Sequence, residues 1–171
     1  MRKFVVVLAL AGLFAAGGAH ATDHGYVRIT GSKSGVIKSD GMPKAWTDAN
    51  EVLAIDYAST PPAAAGTRRI QTPVTLTLKW TAATPLLFQA ATSGEVLSKV
   101  SYSGVVTTAE GTEAVKHHLE LANARITSFK IQDHNGADPL IDPIVVLTLS
   151  YQKIVLMEDP GGVTGEDDWV Q

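Results

Sequence analysis

The chain has 171 residues, 45% of them hydrophobic and 18% charged, with a formal net charge of −3 and no cysteine. That is enough apolar material for one domain with its own core, which excludes an intrinsically disordered chain. Acidic and basic residues are interspersed without a basic stripe, so a nucleic-acid partner has no electrostatic footprint; the lack of thiols excludes a disulfide framework and thiolate-bound zinc.

Arg2 and Lys3 open the chain, an apolar run follows from Phe4 to Ala16, and "GGAHA" ends at Ala21. A basic start, a short apolar stretch and small residues at −3 and −1 (Ala19 and Ala21) describe a secretory signal peptide over residues 1–21. The run is too short to cross a bilayer as a helix. Cleavage after Ala21 leaves a mature chain, Thr22–Gln171, of formal charge −5 with no membrane span and a secreted or periplasmic location.

"GYVRITG" at 25–31 alternates, with Val27 and Ile29 on one face, and reads as a strand ended by Gly31. Residues 32–50 are rich in Ser, Gly, Lys and Asp and read as a long loop. "VLAIDYAS" puts Leu53, Ile55 and Tyr57 on one face, and a second loop, "TPPAAAGTRR", follows. "PVTLTLKW" is the strongest strand, with Val74, Leu76, Leu78 and Trp80 facing inward. It runs into a short helix: Thr84 is a competent N-cap, Pro85 suits the first helical position, and Gly94 closes the helix in a left-handed conformation. A helix this short is not stable alone and must dock across an open end of the β-structure.

Beyond the helix, "VLSKVSYSGVV" brings Val100 and Tyr102 to one side, and "VKHHLEL" sets Val115, His117, Leu119 and Leu121 against Lys116, His118 and Glu120. In "NARITSFKI" the phase slips between Ile126 and Phe129, as a bulge would cause. "IVVLTLSYQKIVLM" alternates Leu147, Leu149 and Tyr151 against Thr148, Ser150 and Gln152. After Lys153 both faces turn apolar, which implies burial on both sides or contact with another subunit. The remaining tail is acidic and Gly-rich, reads as flexible, and carries Trp169. About seven short alternating strands make a mainly β domain, a sandwich or barrel.

The chemical inventory is empty. His117 and His118 are strand neighbours pointing to opposite faces, so they do not share one metal; His117 reads as a half-buried core residue and His118 as a surface one. "DHNGADP" at 133–139 lacks the further ligands of a calcium loop and reads as a turn. "GSKSG" at 31–35 has Lys33 where a nucleophile elbow needs Ser, and it lacks phosphate-loop spacing. Glu166, Asp167 and Asp168 read as a solvated charge run. No catalytic residue, cofactor site or metal site emerges.

The order of segments carries more. "TLTLKWTAATPLLFQAATSGEVL", with Lys79, Thr84-Pro85 and Gly94, then "GYVRITG", "HLELANARITSFKI", "VLTLSYQKIVL" and the closing "GG…G…DDW" resemble the haemolysin-coregulated protein (Hcp) family, the tube subunits of type VI secretion systems. The resemblance implies a small antiparallel β-barrel over 22–158 with one flanking helix, followed by the tail at 159–171. It implies a homo-oligomer: a hexameric ring that stacks into tubes, is expelled from the cell and travels with or ahead of effector and secretion-system proteins. The loop after the first strand, with Ser32, Lys33, Ser34, Gly35 and Lys38, would reach a neighbouring ring. The family is not enzymatic in its core domain. Where it carries an acidic residue and a Lys before the Ser/Thr-Pro pair, this chain has Thr81 and Ala82. Tube subunits of the family normally assemble in the cytoplasm without a signal peptide, so a ring acting outside the machine, and a monomeric exported barrel binding a small ligand, stand as alternatives.

Overall fold

The computed structural model describes residues 24–60, 70–108, 111–133, 142–159 and 161–169. The expected signal peptide, the segment 61–69 read as a loop and most of "DHNGADP", read as a turn, lie outside them. Nine strands are described: β1 (His24–Gly31), β2 (Gly35–Ile37), β3 (Asn50–Asp56), β4 (Val74–Lys79), β5 (Leu97–Thr107), β6 (Glu113–Gln132), β7 (Ile144–Ser150), β8 (Lys153–Glu158) and β9 (Val163–Asp168). One helix, α1 (Thr84–Ser93), lies between β4 and β5.

Every pairing is antiparallel, and the ladder β1–β3–β4–β7–β6–β5 returns to β1, closing a six-stranded barrel. Closure follows from β6, which is long enough to take two successive partners on one edge. Ala122 to His117 pair with β8, and Arg125 to Gln132 pair with β7. Between these stretches Asn123 has φ 49°, a left-handed conformation that Asn tolerates better than most residues, and its side chain donates to Gln152 Oε1 at 2.7 Å. The predicted phase slip is a β-bulge between Ile126 and Ser128.

The interior is filled by alternating residues of all six barrel strands, including Val27, Ile29, Leu76, Leu78, Val100, Leu121, Leu147 and Leu149. α1 adds Leu87 and Ala90 to this cluster, each 1% exposed, and Phe88 meets Phe129 of β6 edge to face with centroids 5.5 Å apart. The helix therefore docks as expected, because its short apolar stripe completes the core. Its start differs. Thr84 is the first helical residue, Ala83 occupies the cap position, and the Thr84 hydroxyl accepts the Thr81 N–H at 3.1 Å instead of a first-turn amide. Gly94 ends the helix at φ 63° as predicted, its N–H bonding back to Ala91 O at 3.2 Å.

Other departures share one cause, a local break in the alternation. A bulge between Val52 and Ala54 turns Leu53 outward, 47% exposed. β4 ends at Lys79, so Trp80 lies beyond the ladder and is 46% exposed. A bulge between Gly104 and Val105 leaves Lys116 unpaired, and Val115 moves to a second cluster on the outer face. That cluster explains the segment after β1, which is not one long loop. It forms β2, then a single 3-10 turn at Lys44–Trp46 that folds back on the outer face of β1. Trp46 stacks on Tyr26 with centroids 4.5 Å apart, and Arg28 lies over the Trp46 ring at 4.7 Å while bonding Asp48 at 2.8 Å. Asn50, 2% exposed, donates to Ile37 O at 2.9 Å and accepts the Ser39 hydroxyl at 2.9 Å. The tail is not flexible either: β9 pairs with β8 along its whole length, and Trp169 packs on the core.

Candidate functional site

The nearest approach to a catalytic constellation is one that sequence spacing does not reveal. Ser103 Oγ lies 3.0 Å from His118 Nδ1, and His118 Nε2 lies 2.9 Å from Asp159 Oδ2. Cross-strand pairing of Ser103 with His118 sets the first contact, and the turn after β8 brings in Asp159. Ser103 is 1% exposed, so a substrate carbonyl has no approach to its hydroxyl. The arrangement ties the turn of the β8–β9 hairpin to β5 and β6, a structural task. It also reverses the expected roles of the two histidines: His118 is half-buried and bonded, whereas His117 is exposed and rests over Gly104. Among the described residues no group of three His, Asp or Glu side chains is placed to hold a metal.

What the surface offers instead is apolar contact area. Trp80, Pro85, Phe88, Phe129 and Ile131 line a groove of about 270 Å³ between α1 and β6, with Trp80 46%, Phe88 54% and Ile131 48% exposed. At the barrel mouth a cleft of about 470 Å³ lies between Ile55 of β3, Tyr57 just past it, and the β8–β9 hairpin (Leu156, Met157 and Val163). Leu156 and Val163 are 44% and 70% exposed, and only Ile154 of the apolar run Ile154–Met157 is fully buried. The two-sided burial expected there does not occur within the chain. Among the described residues the interior is filled by the core side chains of the barrel strands.

The sequence-predicted site residues fall in three places, the end of β4, α1 and the β1–β2 hairpin, while Ala19 and Ala21 lie outside the described residues. Lys79 ends β4 and bonds Glu51 of the same chain at 2.7 Å, a half-exposed pair of small energetic weight. Thr84, Pro85 and Gly94 bound α1, away from the mouth. Ser32, Lys33, Ser34, Gly35 and Lys38 are all exposed and sit on the β1–β2 hairpin or just past it. They are not a loose loop. Glu95, the residue after the helix cap, is 5% exposed and sends its carboxylate into the turn. Oε1 accepts the N–H of Lys33 at 2.6 Å and of Ser34 at 2.8 Å, and Oε2 accepts the Ser34 hydroxyl at 2.6 Å. The Ser34 hydroxyl and amide, then the Lys33 amide, hold this carboxyl below its ordinary range, outweighing the opposite effect of burial. Glu95 is absent from the sequence-level candidates. The available signal was a carboxylate at the negative end of a helix dipole, a position that disfavours it without a dedicated partner.

At the other end of the sheet Lys153 pairs with Glu166 at 2.8 Å, so the acidic run is partly engaged across the β8–β9 ladder. Burial, then Tyr57, raises the Tyr151 phenol well above its ordinary value, and its hydroxyl donates to Thr72 O at 3.1 Å.

Comparison with known proteins agrees with this geometry. The family model described as "Type VI secretion system effector, Hcp" matches residues 26–157. A "Major exported protein" of Pseudomonas aeruginosa is 29% identical over 164 residues, covering 84% of this chain and 94% of that one. Among solved structures, an Hcp protein superposes with a TM-score of 0.78 at 22% identity, over 88% of this chain and 99% of its own. The secreted protein Hcp3 from Pseudomonas aeruginosa gives a TM-score of 0.74 at 27% identity, over 88% of this chain and 100% of its own.

Proposed function

The chain belongs to the Hcp family of type VI secretion systems, and from that premise we propose that it acts as a secreted hexameric ring whose copies stack into a tube. Membership makes it a structural tube component and favours that role over a monomeric ligand-binding barrel. The observation that carries the proposal is the coincidence of the family match with the barrel: residues 26–157 span β1 to β8 and include every strand that closes it.

Two features support self-assembly in particular. The aromatic groove beside α1 and the mouth at Leu156 and Val163 expose apolar side chains next to one another, the kind of surface that marks an interaction site. The hairpin carrying Ser32, Lys33, Ser34, Gly35 and Lys38 presents exposed residues on a turn held by Glu95, as a ring-to-ring contact requires. Export begins with cleavage after Ala21, and the P. aeruginosa relative is itself described as exported. No helix among the described residues is long and apolar enough to cross a membrane.

The test is absolute mass and shape. Thr22–Gln171 is examined by light scattering and negative-stain imaging, and the exported form by intact mass. Six protomers in annular particles, with an N-terminus at Thr22, are the expected result. A monomer at high concentration refutes the ring.

A further inference from the structure

Neither barrel packing nor family membership accounts for Glu95. Its carboxylate is almost fully withdrawn from water, yet everything it bonds belongs to a turn, Ser32–Ser34, that is itself exposed. Two consecutive backbone N–H groups converging on one oxygen form an anion nest, here filled by the chain's own side chain. Charge-assisted bonds of this kind are the strong ones. The surroundings make room for it: a Cβ on Gly31 would overlap the Glu95 carboxylate. The adverse helix end is offset by Arg125, which donates to the carbonyl of Gly94. Ser32 N bonds Val96 O at 2.9 Å and Ser98 Oγ bonds Thr30 O at 3.1 Å, so the turn is tied to the α1–β5 junction at several points, with Glu95 at the centre. Those two bonds hold Thr30 and Ser32, whereas the amides of Lys33 and Ser34 at the tip are held by Glu95, beside a β1–β2 ladder of only three pairs, Ile29 to Ile37, Thr30 to Val36 and Gly31 to Gly35.

We propose that Glu95 is the positioning residue of the ring-to-ring contact: it sets the direction in which the exposed tip of the β1–β2 hairpin is presented, and with it the ability of rings to stack. The proposal rests on the reading of Ser32–Lys38 as the stacking hairpin. Stacking repeats the same contact around the ring, so a small loss of order in each tip multiplies across the interface.

The experiment uses mature Thr22–Gln171 and scores three quantities: ring mass by light scattering, stack length by negative stain, and amide exchange at Lys33 and Ser34. Glu95→Ala should keep the ring mass, shorten stacks by about tenfold, and speed exchange at both amides by at least about tenfold. Glu95→Gln should restore part of the stacking, because its Oε1 can still accept both N–H groups and its amide can donate to Ser34 Oγ. Ser34→Ala, which deletes only the Oε2 bond, should fall between wild type and Glu95→Ala. Unchanged amide exchange in Glu95→Ala, or full-length stacks despite faster exchange, overturns the proposal. So does a result in which Glu95→Ala loses the ring itself while Glu95→Gln and Ser34→Ala behave as wild type, since that is a folding role only. Lys33→Glu combined with Val36→Asp, at the tip, separates the two levels. If these variants stack like wild type, or wild type forms no stacks, the hairpin reading fails and the proposal with it. If they abolish stacking while Glu95→Ala does not, only the role of Glu95 falls.

Discussion

Replacing Leu87 by Ala tests whether α1 is held by its packing against the barrel. Leu87 is 1% exposed within the main core cluster, while its neighbour Leu86 is 41% exposed on the same helical turn. The change removes three carbons from a fully buried site, about 2.4 kcal/mol at ~0.8 kcal/mol per buried CH₂. The walls of the site belong to a closed barrel that cannot collapse inward freely, so a cavity contribution brings the expected loss to about 3–4 kcal/mol. For a chain of this length that lowers Tm by about 6–16 °C. Leu86→Ala should cost under about 1 kcal/mol, as surface changes do. Urea unfolding followed by circular dichroism measures both, at matched protomer concentration because assembly itself stabilises the fold. If Leu87→Ala lies within about 0.5 kcal/mol of Leu86→Ala, the helix is not part of the core and the docking argument is wrong.

Acid stability should carry the signature of Glu95. Its folded pKa lies below the ordinary value of 4.5, held there first by the Ser34 hydroxyl and amide and then by Lys33, so its contribution is fully present above about pH 4.5 and is lost as pH falls through the folded pKa. Wild type and Glu95→Gln should therefore converge in stability on acidification below that point; parallel curves down to the acid transition would show that the carboxylate is not selectively stabilised. Leu156→Asp places a charge on the exposed rim of the mouth, 44% open in the single chain, and should yield monomers with an unchanged circular dichroism spectrum. Retention of the ring mass would remove the mouth from the assembly surface. Trp169→Ala should free β9 first, with amide exchange in Val163–Asp168 rising at least about tenfold while the barrel strands stay protected. Uniform change across the sheet would mean that β9 and the barrel unfold as one unit.

Where alternation was unbroken, strand positions were legible from sequence. Val27 and Ile29, Leu76 and Leu78, and Leu147 and Leu149 all point into the barrel as period-two spacing requires. The bulge after Ile126 was legible too, because a phase slip is itself a sequence signal. Bulges at Leu53 and Lys116 were not, since they depend on which partner strand lies opposite, and each moved a neighbouring residue to the other face. β2 and β9 escaped notice for the same reason: "GVI" and "VTGEDD" carry little hydrophobic pattern and become strands only because β1 and β8 offer edges to pair with. The site divides likewise. The Pro85…Gly94 frame of the helix was legible from local turn and cap chemistry, while the cap position itself fell to Ala83 rather than Thr84. Glu95, His118 with Ser103, and the Trp46–Tyr26 stack join residues 61, 15 and 20 positions apart or more.

By itself, the sequence determined a mainly β chain with one short helix that must dock, since composition, alternation and capping act over a few residues at a time. Only the tertiary structure decided which six strands close the barrel, that the tail forms a ninth strand along β8, and that a carboxylate beyond the helix holds the exposed hairpin. Those outcomes depend on long-range pairing, where the bond is made between groups whose separation along the chain leaves no local pattern to read.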